Sequence, residues 1–407
     1  MMIFNHYKGN FLVKLWFIVA ILFPFDASLL LPFSVLGTAI SVNRILLILA
    51  LVVTSFKIIQ NQKIKVVNLG TEPVFMILIV FSFLSISWNN DKAGAIQAFT
   101  FLIISYILFY LGIYIKTKNL EYRLAYTILL ISLMFASLDA ILGFRLQIST
   151  QSEFKNEIIS LFFNPAFFGA TMVLLLPFII QRTLTSKKIK LVFNVFINIL
   201  VIYFVFRTGS KGIVVSLTLV YLIFIFHFTK KRTYFIKVII SCVIITVLTI
   251  FLLEKDYLPR EIELKLYEIS DIFSGEVWES ADSSFGSRNM VWKVGIEKFQ
   301  ENPLLGHGFG SSYSVIYEEV LNSKVLAFHN WWIQILVETG ILGSLLFVFL
   351  YSKSIVTNLI ANHENRIIYL SILVSFIPIS LTVGNVLQLW TWWMLFGITF
   401  VKFKGGS

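Results

Sequence analysis

Residues 189–228 read IKLVFNVFINILVIYFVFRTGSKGIVVSLTLVYLIFIFHF. Two apolar runs, 189–206 and 212–228, flank a short polar turn, Arg207-Thr208-Gly209-Ser210-Lys211-Gly212. Each run approaches the roughly 20 residues an α-helix needs to cross the hydrocarbon of a bilayer. With no water to bond its amides, each must close its hydrogen bonds internally, as a helix. The pair reads as a membrane-spanning hairpin with a cationic turn at one surface.

The same pattern recurs on both sides. The chain of 407 residues is 57% hydrophobic and 14% charged, with a mean hydropathy of +0.85. That is more apolar surface than a water-soluble core could hide. Hydropathy places spans at 11–32, 42–57, 73–89, 95–115, 124–143, 163–181, 189–206, 212–228, 234–253, 331–352, 366–384 and 387–403. An all-α membrane protein follows, a polytopic bundle of about 12 transmembrane helices. The lone Cys242 sits in an apolar run, so no intramolecular disulfide can form. Lys8 and Lys14 precede the first run, as in a signal peptide, but Pro24, Phe25 and Asp26 stand where a small-residue cleavage site would be. The run is expected to be a retained span.

Charge gives orientation. Lys57, Lys63, Lys65, Lys116, Lys118, Arg123, Arg182, Lys187, Lys188, Lys190, Lys230, Lys231 and Arg232 fall in alternate connections, whereas the other short connections hold only Arg44, Lys92, Arg145, Lys155, Arg207 and Lys211. The positive-inside bias puts both termini in the cytoplasm. The formal charge of +11 is then a signal of topology and not of a nucleic-acid surface. The segment 254–328 falls outside the cell membrane and carries 13 of the 22 acidic residues against 7 bases. A connection that long is expected to carry function. Three regions result: an N-terminal bundle of about nine spans over 1–253, a large extracytoplasmic loop with short helices over 254–329, and C-terminal spans over 330–407.

Within the loop, Arg288, Trp292, Gly295, Ile296 and Phe299 share one helical face. Either Arg288 snorkels from a helix lying on the membrane surface, or the stripe docks on the bundle and delivers a guanidinium to a phosphate. The helix should stop at Asn302-Pro303, where Leu304-Leu305-Gly306-His307-Gly308-Phe309-Gly310 begins a tight turn. That turn either re-enters the membrane domain or offers the amides of Gly306 and Gly308 as an anion nest. No strand precedes it, so a dinucleotide fold is excluded. His329-Asn330-Trp331-Trp332 then opens a helix at the membrane interface, where paired tryptophans belong. His329 is a candidate base, or a hydrogen-bonded surface residue. Glu338, in one continuous helix, would face away from it and serve packing or bind a cation. Arg207 and Lys211 are tolerated loop charges or hold an anion at the membrane surface. Asp139 carries a weak functional expectation, and Asn164-Pro165 marks a helix start. There is no Walker A segment, Asp-x-Asp pair, HExxH or cysteine cluster, so ATP hydrolysis and structural zinc are not expected.

Taken in order, Phe163-Asn164-Pro165, Arg207 to Gly212, Arg288 through Gly310, and His329 through Glu338-Thr339-Gly340-Ile341-Leu342-Gly343 resemble the O-antigen polymerase and ligase superfamily. The resemblance covers residues 163–343. It implies a C-type glycosyltransferase-like bundle in a bacterial inner membrane, taking an undecaprenyl-diphosphate-linked glycan as donor and needing neither metal nor cofactor. It further implies that Arg288 and Arg207 bind the diphosphate, that Lys211 stands where the family more often has arginine, that Asn330, Gly306 and Gly308 line the substrate site, and that His329 acts on the acceptor hydroxyl. Polymerisation of repeat units for O-antigen or related lipopolysaccharide is the expected activity, with ligation of glycan to lipid A core or protein, and flipping or transport of the glycan, as alternatives. The expected partners are the phospholipid bilayer, a chain-length regulator and a flippase.

Overall fold

The computed structural model describes residues 11–35, 38–59, 71–142, 160–162, 164–228, 284–319, 327–360 and 363–400. The helices are α1 (Phe11–Leu22), α2 (Val42–Ile59), α3 (Glu72–Ser85), α4 (Lys92–Thr117), α5 (Glu121–Leu142), α6 (Pro165–Thr185), α7 (Lys188–Arg207) and α8 (Lys211–Phe228). They continue with α9 (Ser284–Glu301), α10 (Ser312–Glu319), α11 (Trp331–Ile360), α12 (Arg366–Ser380) and α13 (Trp390–Thr399). Two short antiparallel strands, β1 (Leu30–Val35) and β2 (Thr38–Ser41), join the first two helices.

Six helices among the described residues are long and apolar enough to cross a membrane: α4, α5, α6, α7, α8 and α11. Several crossings in one chain make this a multi-pass membrane protein. Stretches 42–56, 72–85 and 366–380 are shorter apolar helices. The expected span 234–253, with Cys242, and the first part of the outer loop, 254–283, lie outside the described residues.

Two expected spans are corrected. The first does not run to residue 32: α1 ends at Leu22, and a 3-10 turn, Phe23–Leu29, leads into the hairpin. Pro24 has no amide to donate to a continuing helix. Asp26 is buried and accepts from Arg44 Nε and Nη2 at 3.0 and 2.8 Å and from the Ser41 hydroxyl. A buried carboxylate needs such partners, and the reversal supplies them. The last expected span is, in the described residues, only the ten residues of α13. Its start is delayed by Asn385, whose side chain caps a 3-10 turn at Val386–Gln388.

Helix starts follow local chemistry. Asn164 accepts from the Phe167 amide at 2.9 Å with Pro165 at the first helical position, and Asp91 accepts from the Gly94 amide at 2.8 Å. Helix α6 is buried along nearly its whole length, packed by α5, α7, α8 and α12. Helices α4 and α13 meet through small residues: a Cβ on Gly112 would fall on the Met394 carbonyl and one on Gly397 on the Phe109 carbonyl. The far end of α13 is tied to α4 by Lys116, whose ammonium donates to the carbonyls of Ile398 and Phe400 at 2.8 and 2.9 Å. A cation on the terminal carbonyls of a helix complements its dipole.

Candidate functional site

Helix α11 is broken at Gly340, where φ is 61° and ψ is −164°. The Trp331 ring lies 5.2 Å from Phe347, and the Trp332 ring 6.0 Å from Tyr351. At 1.5 Å per residue, a straight helix would separate those pairs by roughly 24 and 28 Å. The chain therefore reverses at Gly340, and the arm 331–339 packs back along 341–360. That remainder alone is about 30 Å long, enough for one crossing. Its Tyr351 stands roughly 16 Å along the helix from the break. The Trp332 end of the arm is thus recessed well below the reversal.

The glycine-rich turn is seated in this break. Ile341 and Leu342 have lost their partners in the preceding turn, and their amides donate to the carbonyls of Pro303 and Leu304 at 2.8 and 3.3 Å. In return the amides of His307 and Gly308 donate to the carbonyls of Val337 and Glu338, at 2.8 and 3.0 Å. Orphan groups at both ends of a broken helix are satisfied by one loop. Gly306 and Gly308 adopt φ of 67° and 103°, and a Cβ on either would strike backbone or Asn89. The amides of Gly306, His307, Gly308 and Phe309 all donate within the chain, the last to Ser85 Oγ at 3.0 Å. The re-entry alternative therefore accounts for this turn, and these four amides are not free to form an anion nest.

Glu338, 2% exposed, closes the arrangement. Its carboxylate accepts from the Ser312 hydroxyl, from Gln334 Nε2 at 3.0 Å, and from the backbone amides of Gly310 and Ser312. It thereby caps the start of α10 and locks that helix to the arm.

At the recessed end, His329 holds a positive φ of 48° and its Nδ1 lies 3.2 Å from the Thr382 carbonyl. A carbonyl only accepts, so Nδ1 carries the proton and Nε2 keeps its lone pair. Burial and the neighbouring Arg288 charge push the imidazole below its ordinary pKa, against the smaller opposing effect of the Thr382 bond. The ring is therefore neutral at neutral pH. Gly384 borders it, 3.7 Å from the ring where a Cβ would stand. Asn330 spends its side-chain oxygen on the amides of Trp332 and Ile333, at 3.1 and 3.3 Å, as the cap of α11. Trp332 Nε1 donates to Ser380 Oγ at 3.0 Å.

Arg288 reaches this place on α9. Trp292, one turn along, donates Nε1 to the Phe328 carbonyl at 2.7 Å, and Gly295 lies so close to Phe328 and Ile333 that a side chain would not fit. The docked face is Arg288, Val291, Trp292 and Gly295; Ile296, expected on it, is 51% exposed, because the true stripe turns toward Val291. Burial lowers the Arg288 pKa, but from a value so high that the guanidinium stays charged.

The α7–α8 turn arrives from the bundle. Gly209 takes a φ of 62°, and Gly212 presses on the Pro378 carbonyl and the Thr382 side chain. The turn thus leans on the same end of α12 whose Thr382 carbonyl holds His329. Arg207 Nη1 makes a long 3.5 Å hydrogen bond to the Tyr203 hydroxyl, and its Nε is buried with no hydrogen-bond partner among the described residues. Residues 196–348 match the family model described as O-antigen ligase. The match begins in α7, takes in Arg207, Lys211, Arg288, the glycine turn and His329, and ends past the Gly340 reversal. It supports the O-antigen polymerase/ligase superfamily, whose members carry out glycan transfer in membranes. No curated protein matches the chain.

Sequence reasoning missed Ser380, Thr382 and Gly384. Thr382 acts through its backbone carbonyl, which leaves no side-chain signature, and the stretch 366–384 reads only as an apolar span. Asp139 is buried at 6% exposure on α5, a helix that supplies none of the residues gathered around His329.

Proposed function

We propose that the protein polymerises undecaprenyl-diphosphate-linked oligosaccharide repeat units on the outer face of the bacterial cytoplasmic membrane, with His329 as base and Arg288, Arg207 and Lys211 facing the donor diphosphate. The observation that carries this reading is the convergence on one end of α12: the Thr382 carbonyl orients His329, the Lys211-Gly212 turn presses on the same residue, and Arg288 is near enough to depress the imidazole. The Nε of Arg207, which has no hydrogen-bond partner among the described residues, supports it, since a buried guanidinium N–H is costly until an acceptor arrives.

The chemistry follows from the groups. An acceptor hydroxyl attacks the anomeric carbon, the bond from that carbon to the diphosphate oxygen breaks, and the electron pair goes to the phosphate. Fixed cations stabilise the charge that grows there. Nε2 of His329 takes the hydroxyl proton, a step worth about 10² to 10⁴-fold. A single displacement inverts the anomeric configuration. Lys211 supplies a point charge and not a bidentate fork, so arginine at 207 and 288 carries the geometric recognition.

Ligation is the second reading, favoured by the description of the matching family as a ligase. A deletion strain separates the two. Polymerase loss leaves a single repeat unit attached to its final acceptor, whereas ligase loss leaves no attached glycan and accumulates lipid-linked polymer. Purified protein in proteoliposomes should convert a lipid-linked repeat unit into a ladder of longer products; flipping of the lipid without new glycosidic bonds would refute the proposal.

A further inference from the structure

The loop that follows α12, Thr382-Val383-Gly384-Asn385, borders His329 with residues that carry no charge. Its glycine lacks the structural reason that the others have. Gly209, Gly306, Gly308 and Gly340 hold positive φ, and Gly112, Gly212, Gly295 and Gly397 leave no room for a Cβ. Gly384 lies outside the left-handed region, and the atoms nearest to a Cβ built on it would be the Ala327 Cβ at 3.4 Å and Cε1 and Nδ1 of the His329 ring at 3.7 Å. Those are ordinary van der Waals distances, so alanine would fit.

Glycine at such a place costs stability, because the unfolded chain has more freedom to lose. Neither backbone geometry nor packing at 384 offsets that cost. What the missing side chain leaves is clearance at the imidazole. Equal distances to Cε1 and Nδ1 set the Cβ position beside the bond that joins them, and Cε1 is the ring atom next to Nε2. A side chain larger than a methyl group therefore crowds the edge that leads to Nε2, the nitrogen with the lone pair. Ala327, the nearest neighbour, extends only a methyl group. Ala327, His329 and Gly384 are each partly exposed, so the clearance is open to a ligand.

We propose that Gly384 determines acceptor size: the residue at 384 sets how much bulk beside an attacking hydroxyl can approach Nε2 of His329. This rests on the reading of His329 as the base. The charges divide the region. Arg207 and Lys211 come from the α7–α8 turn and Arg288 from α9, and cations suit the donor diphosphate. The loop after α12 brings none, and a sugar hydroxyl, being neutral, needs room rather than charge. For its proton to pass to Nε2, the oxygen must come within about 2.6–3.2 Å. A secondary hydroxyl of a pyranose then carries its two flanking ring carbons to the edge that a side chain at 384 would crowd. The oxygen bonds to the anomeric carbon as the bond from that carbon to the diphosphate oxygen breaks, leaving the electron pair on phosphate and the proton on Nε2.

The test uses the full-length protein in proteoliposomes, with the lipid-linked repeat unit as saturating donor and, as acceptor, the repeat-unit oligosaccharide freed from its carrier by mild acid. Gly384→Ala, Gly384→Val and Gly384→Leu are compared with wild type. The alanine variant keeps an unfolding temperature at or above that of wild type. Acceptor kcat/KM falls stepwise with side-chain volume, by about tenfold or more for leucine, while the Kd for undecaprenyl diphosphate stays at the wild-type value. Where the larger variants fail to fold, a raised acceptor KM in the alanine variant decides. Unchanged acceptor kcat/KM in every folded variant overturns the assignment, as does a loss of undecaprenyl diphosphate binding that parallels the loss of activity. Full activity of His329→Ala would instead overturn the base itself, whatever the Gly384 series shows.

Discussion

Alanine at Gly340 discriminates sharply between two architectures of α11. In an unbroken helix Gly340→Ala would stabilise the protein by about 1 kcal/mol, because glycine is the poorer helix former. In the reversed helix the sign changes. The backbone at φ 61°, ψ −164° is a conformation left almost entirely to glycine, and a Cβ there runs into the Leu304 carbonyl. Holding alanine in such a region costs about 1–3 kcal/mol. Relief by movement would break the Ile341 and Leu342 bonds to the turn, at about 0.5–1.5 kcal/mol each. By either route the expected loss is therefore about 1–3 kcal/mol. Thermal unfolding of the detergent-solubilised protein, followed by tryptophan fluorescence and by the monodisperse fraction on size exclusion, measures it. Activity should fall with it, since the turn and the His329 arm are seated on each other. An unfolding temperature equal to or above wild type would refute the fold-back and with it the recessed position of His329.

Replacing His329 by alanine or glutamine should lower polymer synthesis by about 10² to 10⁴-fold at normal protein levels. The base works only unprotonated and its pKa is depressed, so activity should hold through neutral pH and fall on an acid limb below the ordinary histidine range. Arg288→Gln removes part of the depression and should move the residual activity's acid limb upward; a pH–rate profile checks both. Arg207→Ala should cost more activity than Lys211→Arg, which is expected to be tolerated; the reverse order in a chain-length gel would reject the diphosphate role of Arg207. Gly112→Val should abolish the folded fraction, because the branched side chain forces α13 off α4 at the Met394 carbonyl.

Much of the bundle was legible because its evidence is local. Helices α4 to α8 are continuous apolar runs bounded by polar turns, and the expected limits for 95–115 and 189–206 fall within α4 and α7. Asp91 and Asn164 announce their helix starts by chemistry alone. What failed was long-range. The stretch 331–352 reads as one apolar span, since a glycine inside such a run costs a helix only about 1 kcal/mol. Nothing local shows that Pro303 and Leu304, distant in the chain, supply the carbonyls that make a reversal cheaper. The misreading carried to Glu338, whose partners Ser312 and Gly310 lie on another element. The first span failed for a related reason: Arg44 and Ser41, the partners that hold Asp26 at the reversal, lie beyond the apolar run. Arg207, Arg288 and His329 could each be picked out by type and setting, but the backbone carbonyl of Thr382 that orients His329 is invisible in composition or spacing.

Transfer as proposed requires a single lipid-phosphate pocket served by all three of those side chains. A cryo-EM map of the protein in nanodiscs with undecaprenyl diphosphate decides it. Phosphate density in contact with the guanidinium groups of both Arg207 and Arg288, with Nε2 of His329 facing the same cavity, is the predicted result; density held elsewhere, or the three groups opening into separate cavities, would contradict it.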